Sequence, residues 1–137
     1  MAGVSELIRV EADDTISFGD YTLAAKAKLD NFIHEGVTYK VKTYKDITKL
    51  ECNEVFAYES VPGTAVLNFK KEEDSVSFVA EGSESAQITL GLEPETEYEI
   101  TVDDTSAGVM STNLGGKLSL SVEIEEEKTV SILIKKK

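Results

Sequence analysis

The sequence predicts an all-β protein, a sandwich of short antiparallel strands, and three observations point there. Apolar and polar residues alternate in run after run of the second half: Tyr98, Ile100 and Val102, then Leu118, Leu120, Val122 and Ile124, then Val130, Ile132 and Ile134. Such alternation gives a strand one dry and one wet face. Turn-forming clusters separate these runs at roughly 8–12-residue spacing, the rhythm of a sandwich. The 2 prolines and most of the glycines fall in those turns, where strands tolerate them. The expected division is a β-rich N-terminal part over residues 1–53 and the sandwich over residues 54–137.

Taken in order, residues 6–11 read as a short strand, Asp13 and Asp14 as a turn, and Thr15 to Leu23 as a strand kinked at Gly19 and Asp20. Leu23 to Asp30 reads either as a short helix or as an extended lead-in to Phe32. Phe32-Ile33, a turn at His34-Glu35-Gly36 and Val37 to Thr43 make a hairpin with Val37, Tyr39 and Val41 on one face. Tyr44 to Leu50 places Ile47 and Leu50 three apart, one helical turn at most, so a connector is expected there. Strands follow at Val55–Tyr58, Ala65–Lys70, Ser75–Ala80 and Ala86–Leu90, broken at Val61-Pro62-Gly63, Glu72-Glu73-Asp74 and Gly82 to Ser85. Beyond them lie the strand from Glu97, a turn at Asp103-Asp104-Thr105, Ala107–Ser111, Lys117–Ile124 and a last strand through Val130, Ile132 and Ile134.

Leu92 and Pro94 form a corner just before Tyr98. A tyrosine placed so resembles the tyrosine corner of immunoglobulin-like and fibronectin type III sandwiches, whose hydroxyl bonds back to upstream backbone. The resemblance implies an immunoglobulin-like sandwich for residues 54–137.

Composition excludes several functions. At 137 residues with 41% apolar content the chain has enough material for a real core. Its net charge of -12 opposes binding to a phosphate backbone, and Lys40, Lys42, Lys45 and Lys49 are interspersed with Asp46 and Glu51, so no nucleic-acid partner is expected. Residues 54–137 hold 17 acidic and 7 basic groups against 9 and 7 in residues 1–53, so the acidity belongs to the sandwich. No apolar run approaches the roughly 20 residues of a membrane helix, and membrane insertion is not expected. The N-terminus lacks a basic segment followed by an apolar one, which argues against Sec export and for a cytoplasmic location at synthesis, with the final place at a virion or cell surface left open. Cys52 is the only cysteine, so no intrachain disulfide forms.

The chain is poor in reactive groups: one His, one Cys and one Arg, with no Trp. His34 and Cys52 read as a turn histidine and a small buried or half-buried thiol, and two such groups fall short of a zinc site. Carboxylates abound, but Glu97, Glu99, Glu123 and Glu125 fall at outward strand positions and Glu72, Glu73, Asp74, Asp103 and Asp104 in turns. Paired-acid catalysis needs a raised pKa in a cleft, which solvated acids lack. A weak calcium site near Asp103 and Asp104 is chemically reasonable, although the loop lacks the spaced calcium pattern. Asn113-Leu-Gly-Gly116 joins two strands and is read as a turn, with no helix N-terminus to cradle phosphate. Tyr39, Tyr58 and Tyr98 belong to the core, which leaves Tyr21 and Tyr44 for stacking on a sugar. No catalytic residue, cofactor-binding residue or metal ligand is assigned, and no cofactor is expected.

Four stretches carry a second resemblance: Ser-Phe-Gly-Asp-Tyr-Thr-Leu (17–23), Tyr-Lys-Val-Lys-Thr (39–43), Tyr-Glu-Ser-Val-Pro-Gly-Thr-Ala-Val (58–66) and Thr-Asn-Leu-Gly-Gly-Lys-Leu-Ser (112–119). Over nearly its whole length the chain resembles a group of small clostridial proteins that carry the name endosialidase. That resemblance implies binding or cleavage of sialylated glycans. Sialidases, however, resemble one another in a large propeller, a cluster of three arginines and a Tyr/Glu nucleophile pair. This chain is too short for the propeller, and Arg9 alone cannot build a clamp of several guanidinium forks. The function expected from the residues is therefore a non-catalytic structural or assembly module, a homo-oligomer of a phage-derived particle or a surface layer. Leu7, Ile8, Val10, Ile16 and Phe18 support it, being more apolar surface than a lone sandwich needs. A sialylated-glycan-binding or endosialidase-like protein is the alternative.

Overall fold

A computed structural model describes residues 3–137, so the first two residues of the expected 1–53 part lie outside the described residues. The N-terminal part supplies β1 (Ile8–Val10), β2 (Ile16–Phe18), β3 (Ala27–His34), β4 (Val37–Tyr44) and β5 (Ile47–Cys52). Eight further strands follow: β6 (Val55–Val61), β7 (Ala65–Lys71), β8 (Ser75–Glu81), β9 (Ala86–Gly91), β10 (Glu97–Val102), β11 (Thr105–Ser111), β12 (Lys117–Val122) and β13 (Thr129–Lys136). The alternation in the sequence becomes alternation in burial. On β13 Val130, Ile132 and Ile134 are buried between exposed neighbours, and Leu118, Leu120 and Val122 do the same on β12.

The strands form two antiparallel sheets, one of seven in the order β1-β2-β7-β8-β13-β10-β11 and one of six in the order β12-β9-β6-β5-β4-β3. Neither sheet closes into a barrel, and their apolar faces share one core, so the protein is a β-sandwich. Within it β9, β10, β11, β12 and β13 stand to one another as strands B, C, C′, E and F of an immunoglobulin-like domain: β9 pairs β12, and β10 lies between β13 and β11. β6 takes the place of strand A beside β9. The place of the closing strand G is filled by β8, which precedes β9 in the chain.

The two expected parts share both sheets. The turn at Asn53 and Glu54 joins β5 to β6 as a hairpin, β3 to β5 extend the six-stranded sheet, and β1 and β2 extend the other beyond β7. Phe18, fully buried, packs edge-on against Tyr58 at 5.4 Å and Phe69 at 5.6 Å, and Tyr58 meets Phe78 at 5.6 Å. Such aromatic pairs contribute about 0.5–1.5 kcal/mol each beyond area burial, so residues before and after position 53 stabilise one centre.

The structure decides one open reading and corrects another expectation. Of the two readings of Leu23 to Asp30 the extended one holds: its second half lies in β3, paired with β4 through Ala27 opposite Thr43 and Leu29 opposite Val41. Tyr44 to Leu50 is no connector. From Ile47 it is β5, a core strand between β4 and β6, with Thr48 and Leu50 fully buried. The inward position at 48 is filled by a threonine whose hydroxyl is bonded internally, which hides the period-2 signal.

Candidate functional site

At one end of the sandwich two turns meet over a pocket of about 440 Å³. The first joins β1 to β2. Asp13 Oδ1 accepts the Thr15 N–H at 3.1 Å and the Thr15 hydroxyl at 2.6 Å, and the Asp14 N–H donates to the Glu11 carbonyl at 3.0 Å. This self-bonded turn holds Asp14 at φ 66, a left-handed conformation that aspartate tolerates better than most residues. The second turn, Glu35 (φ 49) and Gly36 (φ 78), is a two-residue hairpin with both central residues left-handed, matching the twist of β3 and β4.

Between the turns stands His34, the last residue of β3. Its Nε2 lies 3.8 Å from Asp14 Oδ1 and 4.0 Å from Glu35 Oε2. That nitrogen is shielded from solvent and has no hydrogen-bond partner among the described residues. The His34 side chain is 19% exposed while both carboxylates are 68% exposed, so the imidazole sits beneath two acids that reach into water. Tyr39, Cys52 and Lys70 also line the pocket. Burial pushes the Cys52 thiol up to about 11, so it stays protonated at neutral pH and makes a poor nucleophile beside His34.

The other residues singled out in the sequence are scattered. Arg9 on β1 gives its guanidinium to Glu11 at 3.0 Å and Glu6 at 3.7 Å, and Ser17 donates to the same Glu11. Those bonds, Ser17's foremost, hold the Glu11 carboxyl below its usual range. Asp103 is spoken for: its Oδ1 accepts the Ser131 N–H at 2.9 Å. Among the described residues no third acid or histidine joins Asp103 and Asp104 within ligand reach. Asn113 to Gly116 is a turn, with Asn113 Oδ1 accepting the N–H groups of Gly115 and Lys117, each at 2.9 Å. Tyr44 lies under the Lys26 ammonium at 5.9 Å, and Tyr21 is partly buried.

The chain matches no family model, no curated protein and no solved structure.

Sequence reasoning missed Asp14 as a neighbour of His34. Twenty positions separate them, and only the packing of the β1–β2 turn against the end of β3 brings them together. It also missed Glu81, the last residue of β8. Glu81 is 2% exposed with Oε2 unpartnered among the described residues, and burial pushes its carboxyl above the usual range.

A second feature is a strand edge. β11 ends the seven-stranded sheet, and six of its seven residues are exposed, with only Met110 partly covered. Its sequence, Thr-Ser-Ala-Gly-Val-Met-Ser, holds no charge and no proline, and Val109 is 46% exposed.

Proposed function

We propose that the protein is a structural module that joins copies of itself through β11, as the repeated unit of a homo-oligomeric particle or layer. The carrying observation is this uncharged, uncovered edge. An edge strand presents a row of unpaired N–H and C=O groups, and monomeric proteins blunt such rows with charge, proline, short length or a cover. The other edges are blunted. β1 has three residues and carries Arg9. β3 carries the charges of Lys28 and Asp30. β12 begins with Lys117, whose ammonium lies 4.8 Å from the Phe56 ring centre.

An identical copy is the natural occupant. Two chains of net charge -12 repel at a distance, and β11 lets them meet where neither strand carries charge. Backbone pairing supplies the attraction, with Val109 and its counterpart adding apolar contact. Light scattering on the chromatographed protein tests this. Dimers or larger species are expected, and Val109→Lys, a substitution on an exposed position, returns them to monomers. A strict monomer at high concentration, or an oligomer indifferent to Val109→Lys, overturns the reading.

A further inference from the structure

We propose that Asp14, His34 and Glu35 form a site for one divalent first-row transition ion. This goes beyond the assembly reading and does not depend on it. His34 Nε2, Asp14 Oδ1 and Glu35 Oε2 stand 3.8 and 4.0 Å apart from nitrogen to oxygen, and one donor atom from each residue lies within 4.8 Å of the others. A zinc-like ion prefers ~2.0–2.2 Å to such donors, so a central ion needs each arm to close by about half an ångström or less. Rotation of two carboxylates that are each 68% exposed supplies that movement.

The orphaned nitrogen is the second observation. A shielded imidazole nitrogen with no hydrogen-bond partner among the described residues is destabilising, and an ion between the three groups satisfies it together with both acids. The two acids sit on separate turns, each held by its own local geometry, and the histidine ends a paired strand, so the donors are set before any ion arrives. One imidazole with two carboxylates suits Zn²⁺, Co²⁺ or Ni²⁺. Calcium and magnesium prefer all-oxygen shells, and Cu⁺ prefers sulfur. Three protein donors leave further coordination positions for water.

Calorimetric titration of the metal-free full-length protein with zinc chloride tests the site, with calcium and magnesium chloride as parallel arms. One zinc per chain is expected, together with a shift of the His34 ring-nitrogen NMR signal. Asp14→Asn, on an exposed turn, and His34→Gln are each expected to weaken zinc binding at least about tenfold, whereas Cys52→Ser leaves it within about twofold. Circular dichroism of each variant checks that the fold is kept. Absence of stoichiometric binding below millimolar zinc overturns the proposal. So does binding that survives both Asp14→Asn and His34→Gln, that vanishes with Cys52→Ser, or that calcium matches.

Discussion

The hydroxyl of Tyr58 lies 2.8 Å from Oγ1 of Thr64, and neither residue is exposed. The same Thr64 oxygen is 2.8 Å from the Ser60 hydroxyl. Thr48 Oγ1 donates to the Thr64 carbonyl at 2.7 Å and accepts the Thr64 N–H at 3.1 Å. With its one proton spent there, Thr48 receives its bond from Thr43, 2.8 Å away, which in turn accepts the Asp20 N–H at 2.9 Å. Thr64→Val leaves two buried hydroxyls short of a partner and is expected to cost about 2–3 kcal/mol. Tyr58→Phe removes one bond and one polar group together, at about 1 kcal/mol. In the Thr64→Val background Tyr58→Phe is expected to cost almost nothing, because the phenol has already lost its partner. Urea unfolding of the four proteins checks this. Additive costs would mean that the two hydroxyls act independently.

Alkaline pH is expected to weaken the fold in two overlapping steps. Desolvation raises the Cys52 thiol from 9.0 to about 11 and the Tyr58 phenol from 10.0 to about 12. The folded protein keeps protons that the unfolded chain releases. The stabilisation is therefore complete below pH 9 for Cys52 and below pH 10 for Tyr58, and is lost as pH rises through about 11 and about 12. Each buried group lowers stability by about 1 kcal/mol per pH unit inside its window. Cys52→Ala should flatten the curve above pH 9 and Tyr58→Phe above pH 10, as read by chemical unfolding across pH.

The sheet architecture was legible because burial follows a strict period of two wherever the inward residues are aliphatic, as on β9, β12 and β13. It was illegible where threonine faces inward. Thr48 and Thr64 are fully buried although polar, because the Thr48 hydroxyl bonds the Thr64 backbone and the Thr64 hydroxyl bonds Tyr58 and Ser60. The tyrosine corner was half legible. Tyr98 does bond upstream backbone, accepting the Glu93 N–H at 3.3 Å, but it opens the C-like strand β10, whereas the familiar corner opens strand F. The His34 surroundings were hidden for a simpler reason: local turn chemistry places Asp14 and Glu35 each in its own loop, and no sequence spacing encodes that the loops meet.

Two glycines with similar backbone and different surroundings separate conformational cost from steric cost. Gly36 (φ 78) has nothing within 4 Å of where a Cβ would stand, whereas a Cβ on Gly116 (φ 80) would overlap the Leu92 carbonyl oxygen. Gly36→Ala is expected to cost about 1 kcal/mol, the strain of a left-handed alanine. Gly116→Ala carries the same strain and must also push the 113–117 turn off the corner, breaking the Leu92 N–H bond to the Gly116 carbonyl, 2.7 Å long. A cost at least about 2 kcal/mol larger is expected for it, and equal melting temperatures for the two variants would refute the difference.

At the corner itself a threonine is expected to matter more than the tyrosine that marks it. Thr112 is 5% exposed, donates its hydroxyl proton to the Glu93 carbonyl at 2.5 Å and accepts the Thr96 N–H at 2.9 Å. It thereby binds the end of β11 to both sides of Pro94. The Tyr98 hydroxyl makes one bond of 3.3 Å, at the weak end of the useful range. Thr112→Val keeps the shape, removes both side-chain bonds and leaves a carbonyl and an amide to find water, for about 2 kcal/mol. Tyr98→Phe keeps the buried ring and is expected to cost about 0.5 kcal/mol. Denaturant midpoints ranked Tyr98→Phe below Thr112→Val would show that the corner hangs on the tyrosine hydroxyl after all.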